Sequence, residues 1–419
     1  MKKSNVILFG FLLLMVGEAL AESCGGDCEY SLENGVLTVW GTGENGSGAI
    51  TSAPWKESYV TTVNIREGIT SVGAEAFYDM TEVTTLSLPT TLTTIGNLAF
   101  MGMSGVTGEL NIPSNVTSIG HHAFQGMNSV TGKIKIPEGV TSIGISAFDG
   151  MSGVTSLEIP DTVTSIGYGA FSGMSSVLGE LKIPQGLTRI EFRTFRFMSG
   201  ITGELKIPDG ITVIGEQAFE KMSGITGELK IPQGVTEIGA AAFRDMTGIT
   251  GEIKIPEGVT EIGNLAFLGM TGVTSVVIPE SVASIGLYAF ADMSNLTNLV
   301  LPDGVGSVAE YAFNGALLSS IETGEEGLKK YLAAAGKLTN EAQIVCTSGS
   351  CENALKGTKY EALIANIYYP IREVMQADGS LAIYKHGKLV GFKNKRIYTV
   401  NEAELLSKPT GNRFRIRYK

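Results

Sequence analysis

Apolar residues recur along most of this chain at a nearly constant interval. The interval is marked by eleven phenylalanines, at Phe77, Phe100, Phe124, Phe148, Phe171, Phe195, Phe219, Phe243, Phe267, Phe290 and Phe313. A methionine follows each of the first ten phenylalanines three positions later, and prolines recur with the same period from Pro89 to Pro302. A fixed period of this length predicts a repeat architecture, in which each unit stacks on its neighbours.

The unit at residues 203–226 shows what each repeat predicts. Residues 204–207 alternate polar and apolar side chains, which is typical of a short, half-buried strand that ends at Pro208. Residues 211–214 form a second apolar segment, and residues 218–222 suit a short helical turn. One unit cannot bury these side chains alone, so stacked units should form continuous columns of apolar residues. The pattern predicts a repeat solenoid of eleven rungs over residues 60–320.

The repeat resembles a known family. The pattern I-P-x-x-V-T-S-I-G-x-x-A-F, as at residues 136–148, is similar to the BspA-type leucine-rich repeat and recurs over roughly residues 60–320. The resemblance implies a leucine-rich-repeat solenoid of short parallel β-strands and short helical turns. It also implies a bacterial cell-surface or extracytoplasmic protein with a role in adhesion, without naming a ligand. Family repeats often carry cysteine where this chain has methionine, from Met80 to Met293.

Residues 1–21 read as a signal peptide. Lys2 and Lys3 precede an uncharged, largely apolar run over residues 6–16, and residues 19–21 form an A-x-A cleavage site. The run is too short to span a bilayer, and the sequence has no second candidate span. Residues 22–23 do not fit the small-residue motif that a lipoprotein would need before Cys24. We therefore expect a secreted or cell-surface protein without a membrane span.

Two segments should cap the ends of the array, whose apolar core would otherwise be exposed. Residues 22–59 form the predicted N-terminal cap, with a β-hairpin that turns at residues 34–35 and with Trp40 and Trp55 closing the first rung. Residues 321–351 form the predicted C-terminal cap. Residues 325–338 have the composition of a helix, which should end near Gly336, and residues 342–345 should add a strand.

Residues 352–419 should form a small basic α+β module. They carry 13 Lys or Arg and 6 Asp or Glu, a net charge of +7, so that from the total of −11 residues 1–351 carry −18. A hairpin is expected over residues 381–392, a short helix over 399–406, and a strand over 413–418 that places three arginines on one face. This face could hold an anionic envelope component, dock on the acidic solenoid, or simply be solvated.

The four cysteines form two close pairs, Cys24 with Cys28 and Cys346 with Cys351. An even number of cysteines in an exported chain favours disulfides. A shared zinc site is the rival interpretation, but the two pairs bracket the periodic region and a solenoid would hold them far apart. We expect two local disulfides and no metal site.

The sequence contains no recognisable catalytic motif. The three histidines, His121, His122 and His386, do not have metal-ligand spacing, and GxSxG, HExxH and P-loop motifs are absent. A paired-acid glycosidase would need one singular carboxylate pair, whereas the prominent carboxylates here recur with the repeat. The net charge of −11 disfavours nucleic acid as a partner. We therefore expect a protein that is not an enzyme and needs no cofactor.

Charged residues form two periodic columns on the outer surface. The column of Glu180, Glu204, Glu228 and Glu252 lies beside a column of Lys182, Lys206, Lys230 and Lys254. Opposite charges in neighbouring columns relieve the repulsion between like charges stacked about 4.8 Å apart. The columns are explained by solubility and edge protection, or by a polar ligand-binding sheet.

One rung departs from the repeat. Residues 189–198 read R-I-E-F-R-T-F-R-F-M where the pattern expects glycine at Glu191 and alanine at Thr194. Aromatic residues interleaved with arginine are common at interaction hot spots. The candidate binding patch comprises Tyr168, Arg189, Phe192, Arg193, Arg196 and Phe197, with ordinary repeat drift as the alternative. The predicted function is non-enzymatic binding of an extracellular protein or glycan; the alternative is an envelope spacer attached through the basic module.

Overall fold

The computed structural model describes residues 21–46, 48–56 and 58–369, and the backbone of three later strands. The expected signal peptide and the elements expected at 399–406 and 413–418 lie outside the described residues. The described chain forms the predicted solenoid, whose short parallel strands are joined by turns. In the described part of the chain, no helix is long and apolar enough to cross a membrane.

The first parallel ladder consists of two six-stranded sheets. The N-terminal sheet contains Gly48–Ile50, Ile69–Val72, Thr94–Ile95, Ser118–Ile119, Ser142–Ile143 and Ser165–Ile166. The C-terminal sheet contains Arg189–Ile190, Val213–Ile214, Glu237–Ile238, Glu261–Ile262, Ser284–Ile285 and Ser307–Val308. We call these twelve strands the strand face. The strand face is interrupted between residues 166 and 189, because the last strand of the first sheet does not pair with the first strand of the second.

A second ladder runs along another side of each rung. It begins with the antiparallel strands Glu22–Ser23, Cys28–Glu33 and Val36–Gly41, followed by the parallel strands Thr62–Ile65 and Thr85–Ser87. A three-stranded segment contains Gly108–Glu109, Val130–Lys135 and Val154–Glu158. A later segment contains Thr250–Lys254, Gly272–Val277, Asn298–Leu301, Leu317–Thr323, Lys337–Cys346 and Ile367–Tyr368.

The rungs come in two lengths that differ by a single residue, and the difference is absorbed at one position of this second ladder. Six of the intervals between consecutive phenylalanines are of the longer kind. Each of them contains a glycine with a φ of 76–86°: Gly108, Gly132, Gly179, Gly203, Gly227 and Gly251. The strand pairing shifts directly after Gly132 and after Gly251, as expected of a glycine β-bulge. The additional residue is therefore accommodated locally, and the rest of the rung keeps its register.

Consecutive bulges reduce the second ladder to single bridges, such as Gly203 with Ile225. The strand predicted at residues 204–207 is therefore wrong as a paired strand. Its side chains nevertheless alternate as expected, since Leu205 and Ile207 are buried and Glu204 and Lys206 are exposed. The left-handed backbone at Gly203 turns the chain out of the regular ladder.

The segment predicted as a short helical turn is a run of hydrogen-bonded turns. Gln217 and Lys221 have φ values of 56° and 61°, which interrupt a right-handed helix. Alternate backbone N–H groups then donate to the next rung, as from Gln217, Phe219 and Lys221 to Ala240, Ala242 and Arg244. These bonds, 2.8–2.9 Å long, form a third ladder that we call the turn face.

The predicted phenylalanine column forms the centre of the core. All eleven phenylalanines are fully buried, and consecutive rings stack with centroids 5.2–5.9 Å apart. Trp55 extends the column at one end, 5.3 Å from Phe77, and Tyr331 closes it at the other, 5.3 Å from Phe313. Trp40 does not share the capping role predicted for it: it is half-buried and lies 5.7 Å from the Arg66 guanidinium.

The C-terminal end of the array is closed by the helix Glu325–Ala333, which ends three residues before the predicted end near Gly336. A second short helix spans Cys351–Leu355, and 3-10 helices span Glu44–Gly46 and Glu361–Asn366. Parallel pairing continues from Lys337–Cys346 to Ile367–Tyr368, past residue 351, where the sequence predicts the start of the basic module. The strands Arg372–Met375, Leu381–Lys385 and Lys388–Lys393 then pair antiparallel, with a hairpin at the expected place.

Both predicted disulfides are formed, between Cys24 and Cys28 and between Cys346 and Cys351. The first fixes the chain where it enters the N-terminal hairpin. The second joins the last long strand of the array to the helix that follows it. Among the described residues, no cluster of histidine, cysteine or carboxylate side chains has the arrangement of a metal site.

Candidate functional site

The irregular rung coincides with the interruption of the strand face. In the other rungs, the backbone N–H after the strand donates to the preceding rung, as from Gly167 to Ile143 and from Gly215 to Ile190, at 2.9 and 2.8 Å. Within the described chain, the equivalent bond from Glu191 to Ile166 is missing. The turn face continues through the same rung, so the strand face is interrupted there and the turn face is not.

Glycine at this position normally permits close stacking. A Cβ added at Gly167 would lie 2.6 Å from the Ile145 backbone nitrogen. A Cβ alone is tolerated near the end of the array, where Ala309 keeps the equivalent hydrogen bond at 2.9 Å. Glu191 adds a longer side chain, and its carbonyl accepts a hydrogen bond from the Thr194 hydroxyl. These two substitutions together account for the local separation of the rungs.

The spacing of the phenylalanine rings in the core also shows that the rungs are farther apart here. The phenylalanine of the irregular rung, Phe195, lies 5.9 Å from Phe171 and 5.8 Å from Phe219. These are the two widest spacings of the column, since the other phenylalanine pairs lie 5.2–5.6 Å apart. The array is therefore stretched at the rung that carries the candidate patch.

Part of the predicted patch is a contact between two aromatic rings and an arginine. Tyr168 is half-exposed and meets Phe192 edge to face, with centroids 6.3 Å apart. The Arg193 guanidinium lies 4.5 Å from the Phe192 ring centroid, and its Nε donates to the Gln217 side chain at 2.7 Å. Four side chains from three rungs thus hold one another in place.

A second arginine is held in the same way. The Arg196 guanidinium lies 3.9 Å from the centroid of the Phe197 ring, and its Nε donates to the Glu220 carboxylate at 2.5 Å. Glu220 is buried, with a side chain only 2% exposed. It also accepts a hydrogen bond from Gln217 at 2.8 Å and lies 3.6 Å from Arg244 Nη1. The buried carboxylate therefore links both halves of the patch.

This arrangement leaves part of each guanidinium free to bind a ligand. The hydrogen bonds of Arg193 and Arg196 within the described residues run through Nε. Their terminal nitrogens, which form the planar fork that recognises carboxylate, sulfate and phosphate groups, are not used there. Stacking on Phe192 and Phe197 fixes the planes of the two guanidinium groups.

The patch also contains one backbone conformation that bulky residues rarely adopt. Phe197 has a φ of 62°, whereas the φ of 58° at Arg193 is a feature of the repeat that Leu98 and Tyr288 share. At the position of Phe197, six other rungs have glycine: Gly102, Gly126, Gly150, Gly173, Gly269 and Gly315. A bulky side chain in this conformation costs on the order of 1–3 kcal/mol, and such strain is typical of functional sites. The structure thus contains an unfavourable local feature at the proposed patch.

Beside Phe197 lies a shallow, open depression of about 460 Å³. It is lined by Phe197, Lys221 and Asp245, and by hydroxyl groups from four successive rungs, Ser175, Ser199, Ser223 and Thr247. Lys221 Nζ lies 5.4 Å from the Phe197 ring centroid. Most of the exposed surface of the depression is apolar, although Phe197 is its only hydrophobic residue and Lys221 is its only cation.

Arg189 is placed apart from the remainder of the predicted patch. It lies on the strand face and pairs with Glu191, at 2.8 Å from Nε to Oε1. The structure brings together the other five predicted residues and adds Gln217, Glu220 and Lys221, which the sequence reasoning missed. A signal was available, because Arg196, Glu220 and Arg244 follow the phenylalanines of three successive rungs and alternate in charge.

The periodic charge columns form exposed pairs between rungs. Lys206 binds Glu180 of the preceding rung at 3.0 Å, and Lys182 binds Asp161 at 2.9 Å. The hydrogen bond from Lys182 holds the pKa of Asp161 below its ordinary value. Such exposed pairs contribute about 0–1 kcal/mol each, which fits a role in solubility and register.

The sequence matches the family described as the BspA type leucine rich repeat region, in six copies over residues 49–149, 127–250 and 225–331. The chain belongs to the BspA-type leucine-rich-repeat family. The resemblance expected from the repeat is thus confirmed. None of the curated proteins compared with this chain matches it.

Solved structures of bacterial leucine-rich-repeat proteins are similar to this chain. A leucine-rich repeat protein from Bacteroides ovatus is 21% identical, with a TM-score of 0.51, and the match covers 75% of this chain and 98% of that one. A leucine rich cell surface protein from Faecalibacterium prausnitzii is also 21% identical, with a TM-score of 0.43 and coverage of 77% and 95%. At this identity, the likeness of this BspA-type chain to them is one of fold.

Proposed function

We propose that this BspA-type chain is an exported, non-enzymatic surface protein that binds an extracellular protein or glycan through the patch around residues 189–198. The observation that carries the proposal is the pair of arginines held by Nε on partly exposed aromatic rings. Arginine and aromatic side chains dominate interaction hot spots. The patch occurs once in the described array, whereas a structural feature of the repeat would recur in every rung.

The shape of the site supports recognition of a large partner. The depression beside Phe197 is open and shallow, and substrate sites of enzymes usually enclose most of their ligand. The carboxylates nearest to it, Glu220 and Asp245, are engaged by Arg196 and Arg244. We assign no reaction to them and no cofactor to the site.

The proposed location outside the cytoplasm rests on the N-terminal segment and on the cysteines. Residues 1–21 have the composition of a signal peptide. The two disulfides, one at each end of the array, are compatible with an oxidising compartment.

A binding screen of the intact chain tests this function. The probes are purified extracellular-matrix proteins and surface glycans. The test variant combines Phe192→Ser, Arg193→Gln, Arg196→Gln and Phe197→Asn, in which asparagine tolerates the left-handed backbone of residue 197. The control variant, Lys206→Gln with Lys230→Gln, removes the same number of positive charges from the charge columns.

Saturable binding that the test variant loses and the control variant keeps is the expected result. Binding that both variants keep would remove the patch from the proposal. If no probe binds the wild-type chain, the recognition function itself is overturned.

The charge asymmetry of the chain favours one second candidate, an envelope spacer attached through residues 352–419. These residues carry a net charge of +7 against −18 for the rest. In that case, the intact chain should sediment with anionic envelope fragments. The triple variant Lys385→Gln, Lys388→Gln and Lys393→Gln should weaken this association. The test variant of the binding screen, which changes the patch, should not.

A further inference from the structure

The depression beside Phe197 has the chemistry of a site for an acidic polysaccharide. We propose that the BspA-type solenoid binds a sulfated or uronate-containing glycan chain across this depression and the adjoining patch. Lys221, which lines the depression, and Arg193 and Arg196, which belong to the patch, contact its anionic groups. The inference rests on the proposed binding function and names its ligand class. Three features of the site, its charge, its lining and its shape, support it.

The site is positively charged on an otherwise acidic array. Arg196 and Arg244 pair with Glu220, and Arg244 also pairs with Asp245. Two further cations contact the same cluster, Arg193 through Gln217 and Lys221 through the Phe197 ring. Residues 1–351 as a whole carry −18. An anionic ligand is therefore attracted to this position and repelled by the array as a whole, which gives the site electrostatic selectivity.

The free terminal nitrogens of Arg193 and Arg196 match oxyanions. A guanidinium fork donates two parallel hydrogen bonds to a sulfate or carboxylate group. Because Nε of each arginine is already bound to the protein, the fork is oriented before the ligand arrives. Less side-chain freedom is then lost on binding than for a freely moving arginine.

The lining favours a sugar chain over an acidic peptide. Four side chains that end in a hydroxyl group line the depression in successive rungs: Ser175, Ser199, Ser223 and Thr247. Hydroxyl groups both donate and accept hydrogen bonds, as the hydroxyls of a saccharide require. Peptides are usually bound by a free strand edge or by apolar pockets, and this depression is lined by one apolar side chain, Phe197.

The test measures binding of the intact chain to four defined probes at physiological ionic strength. They are a heparin-derived octasaccharide, its desulfated counterpart, polyglutamate of the same net charge, and a neutral glucan. The variants are Arg193→Gln with Arg196→Gln, and the charge-matched control Lys206→Gln with Lys230→Gln. Thermal unfolding of each variant confirms that the array is intact.

We expect the sulfated octasaccharide to bind most tightly. The arginine double variant should weaken it by at least about tenfold, equivalent to about 1.4 kcal/mol, and the control by less than about twofold. Equal losses in both variants, or equal binding of polyglutamate, would overturn the inference, because general electrostatics would then explain the affinity. If a matrix protein binds through the patch but the octasaccharide does not, the ligand class is wrong and the proposed function stands.

Discussion

Removing one ring from the middle of the phenylalanine column is the most direct test of what stabilises the array. Phe219 is fully buried and stacks between Phe195 and Phe243, at 5.8 and 5.6 Å. Phe219→Ala removes the ring and opens a cavity in mid-array. A substitution of this kind costs about 3–5 kcal/mol, because burial is lost and the surroundings relax only partly. Of that, each aromatic pair accounts for about 0.5–1.5 kcal/mol.

The assay is urea unfolding of the intact chain, followed by circular dichroism. Tyr59→Ala is the control, since Tyr59 is 71% exposed and should change the free energy of unfolding by less than about 0.5 kcal/mol. Arrays lose two-state behaviour when one interface is weakened, so Phe219→Ala should also broaden the transition or split it. A loss below about 1 kcal/mol, with an unbroadened transition, would refute the continuous stacked column.

Three further predictions concern the backbone and the ends of the array. Glu191→Gly should restore the hydrogen bond from residue 191 to Ile166. In hydrogen exchange, the backbone amide of residue 191 should then exchange slowly in the variant and rapidly in the wild type. Equal exchange rates would contradict the interruption of the strand face. Gly203→Ala should destabilise the array by about 1 kcal/mol or more, because φ is 84° at Gly203. Gly234→Ala is the control, since Gly234 has an ordinary backbone conformation and should tolerate alanine. Equal midpoints of urea unfolding for the two variants would contradict the glycine bulge. Burial raises the pKa of Tyr331, so its contribution to stability should be complete below pH 10 and be lost as the pH rises above it. Tyr331→Phe should therefore reduce the loss of stability in alkaline unfolding; an unchanged loss would assign it to other tyrosines with a raised pKa, such as Tyr30 and Tyr369.

The repeat made most of the fold predictable, because period and burial are directly linked. The positions of the phenylalanine column, the hairpin at residues 34–35 and both disulfides follow from spacing and residue type. The pairing along each side of the rung did not follow. Residues 204–207 have the alternation of a strand, but whether they pair depends on the backbone of Gly203, and a glycine in a sequence pattern is equally compatible with a turn, a bulge or a simple strand.

The candidate site was predictable only in part, for a related reason. Unusual residues such as Phe192 and Arg196 stand out against the repeat. Glu220 does not, because a single glutamate in a repeat looks like a solvent-exposed residue. Its burial results from Arg196 on one side and Arg244 on the other, in neighbouring rungs. Contacts of this kind, between equivalent positions of adjacent rungs, become visible once the repeat is aligned column by column.

The glycine bulge has a consequence for how such a gene can change. The shorter and the longer rungs differ at one position on one side, and the phenylalanine spacing stays within 5.2–5.9 Å across both lengths. A rung of either length therefore presents the same upper and lower surfaces to its neighbours. In-frame duplication or deletion of a whole unit would lengthen or shorten the array without a repacked junction. The length of the array can thus change in evolution independently of the one rung that carries Arg193 and Arg196.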